Sequence, residues 1–216
     1  MCQLTKKLAL FNYMIDKWAE LQARKDNPTM QVITFKAKNA AIQKFSTTRF
    51  MKLAYFTCLE SARGENNSYK SDNLFKYFNN WIAYDNGPVE QTIYDHKGQM
   101  LTISKNENFE YKTDKTEEDL KTLLDNEDLS VYKKMIDESI YSLTHYNNTD
   151  KSIPYDANAD DSIGKLIWIS HGELWNLAQW ANNKKMDVDV EYFVNMELAE
   201  FDKRKEHLMV DYKSAA

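Results

Sequence analysis

Phe50-Met51-Lys52-Leu53-Ala54-Tyr55-Phe56-Thr57-Cys58-Leu59 is the most hydrophobic run in the chain, apolar except at Lys52 and Thr57. Ser46-Thr47-Thr48 just ahead of it supplies a side-chain N-cap, so the run reads as a helix. A helix apolar on nearly every side has no solvent face and belongs at the centre of a domain. Gly64, with Asn66 and Asn67, closes it. Towards the N-terminus, Leu4, Leu8, Phe11, Ile15 and Trp18 recur at alternating spacings of four and three. That spacing predicts one apolar stripe on a helix from about Leu4 to Arg24. Asp26-Asn27-Pro28 ends it, because the residue before a proline resists the α region. Met30 to Phe35 reads as a short strand or a linker.

Towards the C-terminus, Gly87 and Pro88 suggest a turn followed by a helix from Val89 to His96, with the proline in its first turn. Met100–Ile103 and Phe109–Lys112 flank the polar 104–108 stretch and suggest a small hairpin. Thr116 and Asp119 make a capping arrangement. Leu129, Tyr132, Met135, Ile136, Ile140 and Leu143 form a further helical stripe, and 146–161 reads as a polar surface loop. Ile163–Ile169 reads as a buried helix ending near His171-Gly172. Val190, Val194, Leu198 and Phe201 mark a last helix. The expected fold is mainly α: a helical domain with a small β-hairpin element.

Composition narrows the class. The chain has 216 residues, 28 Lys and Arg against 33 Asp and Glu, and a formal charge of −5. Its 43% hydrophobic content, with 13 Tyr, 10 Phe and 5 Trp, is ample material for a core. Five Gly and three Pro are too few for a turn-rich β-sandwich. Cys2 and Cys58 cannot build a disulfide framework. No apolar run approaches the roughly 18 residues of a membrane span. The N-terminus lacks a signal peptide's apolar core and cleavage site, which predicts a cytoplasmic protein.

Candidate chemistry is sparse. Asp156-x-Asn158-x-Asp160 has calcium-loop spacing, but Asp161 stands where a glycine is needed and Ile167 where a bidentate glutamate is needed. His96, His145, His171 and His207 stand singly, so no metal or other cofactor is expected. His171 reads as a structural imidazole, with catalysis beside a carboxylate as the competing assignment. Cys58 in an apolar helix should be a small hydrophobe with a raised pKa. No nucleophile elbow, phosphate loop or dinucleotide fingerprint occurs. Glu117-Glu118 and Asp160-Asp161 read as solvated pairs. No catalytic residue is assigned, and no enzyme is expected. The acidic balance disfavours nucleic acid. Glu200 and Arg204 are spaced as an i,i+4 pair on a solvent-facing helix side, despite the local Lys203-Arg204-Lys205 cluster.

One stretch remains. Trp81, Tyr84, Val89, Ile93 and Tyr94 surround the Gly87-Pro88 turn. Packing alone reads this as a core corner, with a binding surface as the alternative. The segment resembles the Panacea domain, also called the SocA-like antitoxin domain. Three stretches carry the likeness: Lys52-Leu53-Ala54-Tyr55-Phe56; Trp81-Ile82-Ala83-Tyr84-Asp85-Asn86-Gly87-Pro88-Val89 with Ile93-Tyr94; and Leu166-Ile167-x-Ile169-Ser170-His171 with Trp175. Asn86 stands where the family often has an aromatic. The likeness spans about residues 45 to 200. It divides the chain into an N-terminal helix and linker (1–44) packed on the domain, a Panacea-like domain (45–205) and a tail (206–216).

The resemblance implies a cytoplasmic bacterial or phage antitoxin that binds a cognate toxin protein directly and holds it inactive. Across the family the toxins include enzymes that stop translation, and at least one relative delivers its toxin to a protease. A proteolytic adaptor for a AAA+ protease and a phage-encoded counter-defence protein are therefore the alternatives. The resemblance marks Trp81, Tyr84, Gly87, Pro88, Val89, Tyr94, His171 and Trp175 as motif positions. Tyr- and Trp-rich composition suits an interface, and net negative charge would suit a basic toxin.

Overall fold

The computed structural model describes residues 3–65, 68–97, 127–144, 163–181 and 183–210. The expected hairpin at 100–112, the Thr116–Asp119 cap, the 146–161 loop with its Asp156-x-Asn158-x-Asp160 run, Cys2, His145 and the end of the tail lie outside those residues. Among the described residues the fold is mainly helical: eight helices and one two-stranded antiparallel sheet.

The centre is α3 (Thr47–Ser61), in which every residue from Phe50 to Ser61 is buried. Ser46 is its N-cap, its Oγ accepting the Arg49 N–H at 3.2 Å. Around α3 stand α1 (Gln3–Asp26), α5 (Glu127–Thr144), α6 (Ile163–Ser170), α8 (Glu191–Val210) and the sheet. The stripe on α1 is inside as its spacing predicts, with Phe11, Ile15 and Trp18 in one continuous core with α3, α5 and α8. Cys58 sits in this core, and burial pushes its thiol pKa up.

Of the two readings of Met30–Phe35 the linker holds: residues 30–34 are irregular chain between α1 and the next helix, with no strand. Thr34 accepts the Ala37 N–H and starts a helix, α2 (Phe35–Ile42), which lies on α1. Its Lys38 reaches Asp16 of α1 at 2.8 Å, both largely buried.

The stretch around Gly87 also departs from expectation. Pro88 does not begin a helix; it lies within β2 (Gly87–Glu90), paired with β1 (Trp81–Tyr84) in the register Ala83↔Pro88 and Tyr84↔Gly87. The following helix, α4, starts only at Gln91 and runs to Asp95. The strand tolerates its proline because of what Ala83 does. The Ala83 N–H donates to the Lys184 carbonyl at 2.9 Å, and the Ala83 carbonyl accepts Gln179 Nε2 at 2.7 Å. Both groups therefore point away from β2, so Ala83 and Pro88 are a non-hydrogen-bonded pair and the missing proline N–H costs no ladder bond. The Met186 N–H donates to the Trp81 carbonyl, so residues 184–186 cover the outer edge of β1.

The expected helices at the other stripes form; on α6, however, Leu166 and Ile169 are buried while Trp168 is exposed. On α5, Leu129, Met135, Ile136, Ile140 and Leu143 are buried, and Tyr132 packs edge-on against Tyr77. On α8, Val194, Leu198 and Phe201 are buried, while Val190 falls just before the helix and is exposed. A further helix, α7 (Glu173–Trp180), follows the Gly172 corner.

Candidate functional site

Lys52 is the polar exception in an otherwise apolar helix face, and it is fully buried. Its Nζ donates to the Pro88 carbonyl at 2.8 Å, and no carboxylate lies within ion-pair reach of it among the described residues. Burial alone pulls its pKa down to about 7. The ammonium thus fastens α3 to β2 at the proline.

Gly87, with φ of 90°, supplies the left-handed conformation where the chain re-enters the sheet. A Cβ there would also land on Ser170 Oγ and 3.0 Å from Lys52 Nζ. Ser170 ends α6, and His171 and Gly172 turn the chain into α7. Trp175 on α7 donates its Nε1 to the Tyr84 carbonyl at 2.8 Å. The His171 imidazole lies flat on the Trp175 indole, with centroids 3.9 Å apart and planes 10° apart. The three stretches that carry the resemblance, the first and last more than a hundred residues apart in sequence, therefore meet at one corner.

A second buried charge holds that corner from behind. Glu197 on α8 accepts the Tyr55 O–H at 2.9 Å and the Leu174 N–H at 2.8 Å, the latter in the first turn of α7. Burial raises its pKa to about 7, against the two hydrogen bonds and the Arg204 charge that oppose the rise. Its carboxylate occupies the space a side chain at Gly172 would need. Arg204 pairs with Glu200 at 3.0 Å as the spacing predicts, yet it does not simply face solvent. Its guanidinium also reaches the Trp168 and His171 carbonyls and caps the C-terminal end of α6.

The motif positions divide by depth. Trp81 is completely enclosed, its Nε1 bonded to the Phe78 carbonyl at 2.7 Å and its ring edge-on to Tyr55. Gly87 and Pro88 are buried, and Val89 is half-buried opposite Ile82. Tyr84 and Tyr94 are exposed: Tyr84 donates to Gln91 Oε1 at 2.7 Å, and Lys97 lies over the Tyr94 ring. His171 and Trp175 lie at intermediate depth. Burial and the Lys52 and Arg204 charges pull the His171 pKa down, opposed by a hydrogen bond with the Asp85 backbone. Its Nε2 has no partner among the described residues. The charges acting on this imidazole are cationic, the reverse of a histidine held by a carboxylate for proton transfer.

Two other places were candidates for ligand chemistry. Among the described residues no group of three or more His, Cys, Asp or Glu is placed to hold a metal. A cavity of about 220 Å³ lies between α3 and α5, lined by Glu60, Arg63, Lys70, Ser139 and Ser142 among others. Its two central charges are already engaged: Arg63 bonds both Glu60 and Asp202, and Ser142 donates to Glu60. It shares no lining residue with the corner. Set against protein-family models, curated proteins and solved structures, the chain matches none.

Sequence reasoning missed Glu197 and the helix α7. The sign of Glu197 was present in the pattern, since it falls on the Val194–Leu198–Phe201 stripe, where a carboxylate must be buried and bonded.

Proposed function

We propose that this chain is a toxin-neutralising binding protein of the Panacea kind, acting in the cytoplasm by direct contact with a partner protein. What carries the reading is the corner itself. The three stretches of the resemblance are far apart in the chain and come together there. The interior of the corner is locked by Lys52, Gly87 and Glu197, while Tyr84 and the helix α7 stand at its rim. A scaffold of this form presents side chains on a framework ordered before binding, which lowers the entropy lost on association. Lys52, Glu197 and Trp175 each hold a backbone group at the corner. Among the described residues no helix is long and apolar enough to cross a membrane.

The test is growth of a bacterial host in which the neighbouring reading frame is induced alone and then with this chain. Arrest relieved by co-expression, with the two proteins co-purifying, is the expected result. A chase of the toxin separates sequestration, in which it persists, from delivery to a protease, in which it disappears. Absence of relief against either neighbouring frame overturns the reading.

A further inference from the structure

Helix α7 uses two of its sides. Leu174 and Ala178 pack into the core, and Trp175 and Gln179 bond the Tyr84 and Ala83 carbonyls of the hairpin. At 100° per residue, Leu177 and Trp180 lie together on a third side with Glu173. Nothing among the described residues covers that side: Leu177 is 45% exposed and Trp180 is 91% exposed. A helix bonded along one flank and packed along another cannot roll to hide these side chains, so the apolar pair is held in water in a fixed position.

The charged residues on α7 and in the segment that leads from it into α8 have one dominant sign. Glu173 is on the same stripe. Asp187, Asp189 and Glu191 are exposed on the way into α8, and Asp85 projects from the hairpin turn. Lys184 and Lys185 are the opposing charges, and Lys184 is already within 3.9 Å of Asp85. Acidic residues repel phosphate polymers and anionic membranes and attract a cationic protein surface. Two apolar side chains at i and i+3, on a helix of about two turns, match the apolar stripe of a second helix laid against it.

We propose that the outer side of α7, anchored by Leu177 and Trp180, docks a basic amphipathic helix of the partner protein, an inference that rests on the binding-protein reading above. The probe is a synthetic leucine–lysine amphipathic peptide of about 18 residues, long enough to form a helix on contact. Its leucine–glutamate counterpart and phosphatidylglycerol vesicles are the controls. Saturable binding of the lysine peptide is expected, with a blue shift of tryptophan emission. Trp180→Ser and Leu177→Ser should each weaken it about tenfold or more, and Trp180→Ser should leave the melting curve unchanged, since its side chain is almost wholly in solvent.

Equal binding by Trp180→Ser and the unaltered chain overturns the proposal, as does equal binding of the glutamate peptide or binding to vesicles. Self-association in sedimentation, abolished by Trp180→Ser, would assign this side to a second copy and also overturn it. The growth test keeps the two readings apart. If the unaltered chain and Trp180→Ser both relieve arrest, this surface is wrong and the antitoxin reading stands. If the unaltered chain gives no relief while the peptide results hold, the antitoxin reading fails and the docking surface remains.

Discussion

Two buried residues give the corner an unusual response to pH. The Lys52 pKa is near 7 in the folded chain against an ordinary value of 10.5, so between those limits the unfolded chain binds more protons and stability rises with pH. Glu197 works in the opposite sense. Its folded pKa is near 7 against 4.5, so between pH 4.5 and 7 the folded chain binds more protons and stability falls as pH rises. Together they place a trough near neutrality, with sides on the order of a few kcal/mol high. Urea unfolding at intervals from pH 5 to about 9 should show it against the remaining groups. Lys52→Met should flatten the rising side alone and Glu197→Gln the falling side alone. Unchanged profiles in both variants would show that neither group titrates as its burial requires. Gly87 is the other exacting position. Gly87→Ala combines a left-handed backbone with a Cβ on Ser170 Oγ, and a loss of at least about 2 kcal/mol is expected in the same assay.

At the scale of elements, the hairpin is fastened by more than its ladder. Glu90 ends β2, is fully buried and meets Lys7 of α1 at 2.7 Å. It also accepts the Asn80 N–H at 3.1 Å and, as the N-cap of α4, the Ile93 N–H at 2.8 Å. Glu90→Ala strands a buried ammonium and two backbone donors together, and should cost about 3–5 kcal/mol in denaturant unfolding. Glu90→Gln, which can still accept the Ile93 N–H, should cost less. These contacts explain why the element order was only partly legible. The long stripes on α1, α5 and α8 and the apolar run of α3 announce themselves, because burial of one face is a repeating demand on sequence. Pro88 misleads, since the same residue that opens a helix also fits a strand wherever its neighbour's hydrogen bonds face the other way. Only the pairing of Ala83 with residue 184, about a hundred positions away, decides between the two. Helix α2 had its signal in the Thr34 cap, but Met30–Phe35 is rich in strand-forming residues and eight residues carry too little periodicity to overrule it. At the candidate site the motif residues were readable one by one. Their separation into enclosed Trp81 and exposed Tyr84 was not, because it is the alternation of a strand, in which residues three apart face opposite sides, and nothing in this short segment announced a strand.

At the scale of the whole molecule, charge and aromatic anchors should act on different steps of association. The net charge of −5 and the acidic residues on α7 and in the segment after it act at a distance, before contact, and their reach shrinks as salt shortens the screening length. Trp180 acts only at contact, once water has left its indole. Binding of a basic toxin, followed by stopped flow or surface capture, should therefore lose roughly tenfold in association rate between about 50 and 500 mM salt, with little change in dissociation. Trp180→Ser should do the reverse, raising the dissociation rate about tenfold or more while preserving the salt dependence of association. The double comparison is stricter than affinity alone. A loss confined to association in both experiments would mean that the tryptophan steers and does not anchor. A salt-insensitive association rate would mean that these acidic residues play no part in finding the partner.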